Sequence, residues 1–116
     1  MALSVHSGEL RRHVRVEFQG RAWCEHRDWT LYLPIVNVSC DGLFIQTSTP
    51  FARGELLRVC LTDRNPLVVP LIELEAEVRW SSSRGKSIGV GCRILDFAQG
   101  ADRYAELVEQ LALLGR

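Results

Sequence analysis

Residues 35–47 read Ile-Val-Asn-Val-Ser-Cys-Asp-Gly-Leu-Phe-Ile-Gln-Thr. Two apolar arms, Ile35-Val36 and Leu43-Phe44-Ile45, are built from residue types that favour strands. Between them lie Asn37, Ser39, Asp41 and Gly42. Asn, Ser and Asp can bond nearby backbone, and Gly admits a positive φ, so a tight reversal between two strands is expected. Four such residues exceed what a turn needs. Asn37 and Ser39 are two apart and face the same way in an extended chain. Beside a glycine that admits close approach, they can hold a polar ligand. An ordinary hairpin whose side chains cap its own backbone explains the same residues.

Working outward, the run Trp29–Val38 is extended, and Pro34 in it points to a sheet edge or a bulge. Upstream, Val14, Val16, Phe18 and Ala22 alternate with Arg15, Glu17, Gln19 and Arg21, as in a half-buried strand. Glu25-His26-Arg27-Asp28 reads as a turn. Downstream, Leu57, Val59 and Leu61 alternate with Arg58 and Cys60. After the turn Thr62-Asp63-Arg64-Asn65-Pro66 comes the cleanest period-2 run. There Ile72, Leu74, Ala76, Val78 and Trp80 face one way, and Glu73, Glu75, Glu77 and Arg79 the other. Ile88, Val90, Cys92 and Ile94 form a sixth strand, with Gly89 and Gly91 on its opposite face, where a neighbour can pack closely. From Phe97 the period becomes helical through Tyr104, Leu107, Val108, Leu111 and Leu114. Six short strands and a final helix predict a mainly all-β fold, a small antiparallel barrel or sandwich.

The chain has 116 residues, 47% hydrophobic and 24% charged, with Lys+Arg 14 balancing Asp+Glu 14. Such a length predicts one domain. Zero net charge provides no global field to recruit nucleic acid or an anionic membrane. No apolar run approaches the roughly 20 residues of a membrane helix, and residues 1–9 lack the layout of a secretion signal, so a cytoplasmic location is expected. Cys24, Cys40, Cys60 and Cys92 form no C-x-x-C pair. Cys24 and His26 lack the second half of a zinc site, and reduced, structural cysteines without a metal are expected. Gly85-Lys86-Ser87 lacks the upstream glycine and the strand-to-helix context of a phosphate loop, and Gly89-Val90-Gly91 lacks the third glycine of a dinucleotide fingerprint. His6, His13 and His26 have no nucleophile or carboxylate at a telling spacing, which predicts no catalytic site and no enzyme.

What remains is a cluster of arginines, Arg11, Arg12 and Arg15, ahead of the first strand, and the polar knot entering the third. Together they resemble the PilZ family, whose paired signatures are R-x-x-x-R and (D/N)-x-S-x-x-G. Arg11 and Arg15 match the first; Asn37, Ser39 and Gly42 match the second without a gap. The resemblance continues through P-F-A-R-G-E-L-L-R-V, E-A-E-V-R-W and G-V-G-C-R-I-L-D-F, covering about positions 10–113. It implies a six-stranded antiparallel PilZ-type barrel with a C-terminal helix, a leader at 1–9 and a single domain at 10–116.

The resemblance also implies a ligand, cyclic di-GMP, with two phosphates and two guanines, and no further cofactor. The guanidinium groups of Arg11 and Arg15 can fork onto phosphate or the O6/N7 edge of guanine, with Arg12 assisting. Asn37 and Ser39 would bond the guanine edge or phosphate, and Gly42 would shape the turn. Trp80 offers an aromatic face to a base, although its place in the alternating row with Val78 argues for the core. Leu10 stands where relatives that bind an intercalated ligand pair carry an extra arginine, which favours one ligand per domain. The expected function is a stand-alone receptor whose leader through Arg12 folds over the barrel on binding and signals through a protein partner. The alternative is a PilZ-fold adaptor that binds a protein without the nucleotide. A single-stranded nucleic acid binder would spread aromatics over a basic sheet face, whereas the best strand exposes Glu73, Glu75 and Glu77; DNA and RNA are not expected partners.

Overall fold

The computed structural model describes residues 16–27, 29–61, 72–83 and 88–114. Six strands, β1 (Val16–His26), β2 (Trp29–Ser39), β3 (Gly42–Gln46), β4 (Leu56–Leu61), β5 (Ile72–Ser82) and β6 (Gly89–Gln99), precede the helix α1 (Ala101–Leu114). The strands close into a barrel in the order β1-β2-β3-β6-β5-β4, every pairing antiparallel. Closure removes the free edges that a flat sheet of this size would present.

Alternation sends one face of each strand inward. Ala22 and Cys24, Ile35 and Val38, Leu43 and Ile45, Leu57 and Val59, Leu74, Ala76 and Val78, and Val90 and Cys92 fill the interior. α1 adds Tyr104 and Val108 to that core, with Leu107 and Leu111 half-buried. These positions recur at the helical spacing read from the sequence. The phenol of Tyr104 stacks on Phe97 of β6, ring centroids 5.5 Å apart.

Pro34 falls where the sequence places it. It pairs with Arg21 of β1, while the β2–β3 register begins at Ile35. A residue without an N–H is therefore kept clear of the second ladder.

Element ends differ from the sequence reading at three places. Glu25 and His26 are strand residues opposite Thr30 and Trp29, so the reversal is tighter than the four residues expected. Arg27 takes a φ of 46°. His26 is drawn into the sheet by an aromatic cluster with Trp29 and Phe51, at 5.1 and 5.6 Å between centroids, and its Nε2 lies 3.3 Å from Glu55 Oε2. β6 runs on to Gln99, paired with Glu73, before the helix begins, so Phe97 belongs to the strand.

The third difference concerns Trp80. The register shifts between Val78, opposite Cys92, and Trp80, opposite Gly91. Two steps on β5 thus answer one on β6, a bulge that reverses the side on which the following residue falls. Trp80 leaves the inward row of Val78 and stands on the outer surface, 46% exposed. The alternation that placed it in the core does not hold past Val78.

Candidate functional site

Two rows of residues cross the outer face of β2, β3, β6 and β5 side by side. One is Asn37–Phe44–Gly91–Trp80; the other, nearer the β2–β3 turn, is Ser39–Gly42–Arg93–Glu77. Directly paired residues of an antiparallel ladder share a face, so four of the sequence-predicted residues, Asn37, Ser39, Gly42 and Trp80, meet in one region. Arg11, Arg12 and Arg15 lie outside the described residues. The first described residue, Val16, pairs with Val38, between Asn37 and Ser39.

Trp80 is held by what lies beneath it. A Cβ on Gly91 would fall 2.2–2.5 Å from three indole atoms, so the ring occupies the space that a side chain there would need. The indole also stacks on Phe44, centroids 5.2 Å apart and planes 31° apart. Phe44 is only 4% exposed, leaving Trp80 as the upper layer with one face toward solvent. A half-exposed indole laid on a buried ring is suited to stack on a planar base.

The turn is tied from three sides. The Ser39 hydroxyl donates to Asp41 Oδ1 at 3.1 Å or the Gly42 carbonyl at 3.3 Å. Ile94 N–H of β6 donates to the Asp41 carbonyl at 2.8 Å. From α1, the Tyr104 hydroxyl lies 2.8 Å from the Ser39 carbonyl and 3.0 Å from that of Gly42. Ser39 is 1% exposed, so its hydroxyl serves the turn in this arrangement and faces no solvent. Gly42 is a buried strand residue opposite Ser39 and Arg93. The positive-φ glycines among the described residues are Gly54 and Gly100, so Gly42 does not shape the turn through a left-handed backbone.

Arg93 is the residue that sequence reasoning missed. It is exposed and stands next to Gly42 across the β3–β6 ladder. The signal was present in β6, where Arg93 shares the period-2 face of Gly89 and Gly91. Its proximity to the knot depends on a pairing that periodicity does not reveal. A cleft of about 360 Å³ opens beside Asn37 where β1 bulges between Glu17 and Gly20, lined by Phe18, Gly20, Arg21, Pro34, Ile35 and Val36. Its Arg21 is braced on Tyr32, the guanidinium 5.7 Å from the ring centroid and donating to the Tyr32 carbonyl at 3.3 Å.

Among the described residues no group of three His, Cys, Asp or Glu side chains is placed to hold a metal. Of Cys24 and His26, weighed together above, Cys24 is buried in the core and the His26 Nε2 lies 3.3 Å from Glu55 Oε2. No described helix is long and apolar enough to cross a membrane.

The family model of the PilZ domain matches residues 9–112. Among solved structures, the inhibitor of motility MotI/DgrA from Bacillus subtilis superposes with a TM-score of 0.70 at 20% identity, covering 90% of this chain and 50% of that one. This chain thus spans half the length of that protein. The PilZ domain of YcgR from Escherichia coli, a structure with c-di-GMP, superposes with a TM-score of 0.57 at 16% identity, covering 91% of this chain and 94% of that one. No curated protein sequence shows significant similarity to the chain.

Proposed function

This chain belongs to the PilZ domain family, and we propose that it is a receptor for cyclic di-GMP that acts by binding, without catalysis, and signals through a protein partner. The observation that carries the reading is the convergence of Asn37, Trp80 and Arg93 on one outer face, beside the point where the chain from Arg15 enters the barrel. Chain connectivity supports the part assigned to the arginines. Arg15 directly precedes Val16 in the chain and Arg11 stands four residues further upstream, and an extended chain spans roughly 3.3–3.6 Å per residue. Both are in reach of a ligand resting on Asn37.

Each residue type suits a part of the ligand. The Asn37 amide both donates and accepts, matching a guanine edge. Trp80 offers its free face to a purine. Arg11 and Arg15, assisted by Arg12, fork onto phosphate or guanine, each charge-assisted bond worth about 1.5–3 kcal/mol. Arg93 adds a cation from the barrel wall itself. Ser39 contributes by fixing Asp41 and the turn, and reaches phosphate only if its hydroxyl leaves those partners. Gly42 lets Arg93 stand against the turn without an intervening side chain. Bridging the arginine segment to the barrel changes the surface offered to a partner. The similarity to an inhibitor of motility suggests an output in motility.

A second reading, a PilZ-fold adaptor that binds a protein without the nucleotide, is favoured by the complete burial of Ser39. Titration calorimetry with cyclic di-GMP separates the two. The receptor gives heat at micromolar protein, and at 100 times the dissociation constant the ligand raises stability by about 2.7 kcal/mol. Arg15→Ala abolishes that gain. No heat from the unsubstituted protein leaves the adaptor; an equal thermal shift in Arg15→Ala removes the arginine assignment.

A further inference from the structure

We propose that Tyr104 of α1 is a positioning residue of this site, its hydroxyl fixing the Ser39–Gly42 turn and tying the helix to ligand occupancy. The inference rests on the receptor reading for its link to the nucleotide. Its structural half stands on the turn alone.

Three observations lead there. First, Tyr104 is 1% exposed, yet its hydroxyl is not spent within the helix; it reaches the Ser39 carbonyl at 2.8 Å and the Gly42 carbonyl at 3.0 Å, 65 and 62 residues away in sequence. A buried phenol must find a partner for its O–H, and this one finds two carbonyls flanking one turn. Second, that turn carries no left-handed residue, since the described positive-φ positions are Arg27, Gly54 and Gly100. Two-residue hairpin loops favour turns with positive φ because their twist matches the strands, so this one depends more on bonds from outside. Third, the Gly42 carbonyl is shared: the Ser39 hydroxyl lies 3.3 Å from it and can turn instead to Asp41 Oδ1 at 3.1 Å.

One hydrogen on Tyr104 faces two carbonyls, and one hydrogen on Ser39 faces two acceptors. If Ser39 turns its hydroxyl toward a ligand phosphate, the Gly42 carbonyl loses one donor, and Tyr104 is already in place to supply another. Ligand capture and the seat of the helix are then joined by the same hydroxyl. Val108, with Leu107 and Leu111 packed beside it, and the Tyr104 ring against Phe97 seat the rest of the helix on the core. Linkage is reciprocal, so a ligand that engages the turn through this hydroxyl steadies α1 by the same free energy with which the hydroxyl favours the ligand.

Tyr104→Phe removes the oxygen and keeps the ring on Phe97; Val108→Ala, elsewhere in the buried face of α1, serves as the control for simple loosening of the helix. Two readouts are taken with both variants shown folded by circular dichroism. Without ligand, amide hydrogen exchange at residues 41–43 and 94 accelerates at least tenfold in Tyr104→Phe and not in Val108→Ala. In calorimetry with cyclic di-GMP, Tyr104→Phe weakens binding at least tenfold and Val108→Ala less than threefold. Unchanged exchange in Tyr104→Phe, or equal effects of the two variants on exchange, overturns the assignment. Accelerated exchange with wild-type affinity overturns the coupling to the ligand. Should the unsubstituted protein bind no nucleotide, the receptor reading falls, and exchange alone still decides whether Tyr104 positions the turn.

Discussion

A Cβ on Gly91 would lie 2.2–2.5 Å from Trp80 indole atoms, whereas one on Gly89 would lie 2.1 Å from the Ile45 carbonyl and 2.9 Å from the Phe44 ring. The two glycines are equivalent in the sequence, alternating on one face of β6, and both announce a close neighbour. What that neighbour is decides the consequence. At Gly91 it is the side chain of a half-exposed residue, which can swing into solvent. At Gly89 it is backbone inside a ladder, which cannot. Gly89→Ala therefore costs about 1–3 kcal/mol or more of stability by overpacking. Gly91→Ala costs nearer the 0.5–1.5 kcal/mol of the lost aromatic pair. The binding order is the reverse: displacing Trp80 removes a stacking contact worth about 1–3 kcal/mol per base, a loss of roughly 5- to 150-fold in affinity for cyclic di-GMP. Urea midpoints and calorimetry on both variants check this. Wild-type affinity in Gly91→Ala excludes Trp80 from the site.

At the scale of the element, most of β5 was legible and its end was not. Ile72, Leu74, Ala76 and Val78 are buried, alternating with the half-buried or exposed Glu73, Glu75 and Glu77, as the period-2 pattern predicts. The pattern fails at Trp80 because alternation is a property of one strand, while the bulge beyond Val78 is a property of the pair β5–β6. The same limit explains Arg93, whose neighbour Gly42 belongs to another strand. The Asn37–Gly42 turn was readable because its chemistry is local; the hydroxyl of Tyr104 upon it was not, because it arrives from the far end of the chain. The regular part of β5 sets a clear contrast. Leu74, 1% exposed, sits between Val59 and Phe97 across its two ladders. Leu74→Ala lowers unfolding stability by about 2–5 kcal/mol through loss of buried surface and the cavity left behind. Next door, exposed Glu75→Ala stays within about 0.5 kcal/mol. Denaturant unfolding with an unchanged m-value measures both, and equal effects would mean the register of β5 is not as described.

For the whole molecule, barrel closure makes the interior a place where charge is excluded, and Cys24 reports it. Burial, and then Cys92 and Cys60 nearby, push its thiol from 9.0 up to about 12. Burial first, then Glu73 and Glu25, raises Cys60 as well. In the unfolded chain a cysteine thiol ionises near pH 8.5–9. Below that range both states hold the Cys24 proton and its contribution to stability is complete. Above it the unfolded chain releases the proton and the folded barrel keeps it, so stability falls as pH rises. The fall continues until the folded thiol itself ionises near 12. With one proton more on the folded state, the slope is about −1.4 kcal/mol per pH unit. Cys60 steepens the decline in the same direction. Cys24→Ala removes the Cys24 share: between pH 9 and 11 its unfolding free energy falls less steeply than that of the unsubstituted protein, by a margin that grows toward a limit of about 1.4 kcal/mol per unit, whatever its lower starting value. Parallel curves from chemical denaturation across that interval would mean that Cys24 is reached by solvent, and hence that the barrel is not closed around it.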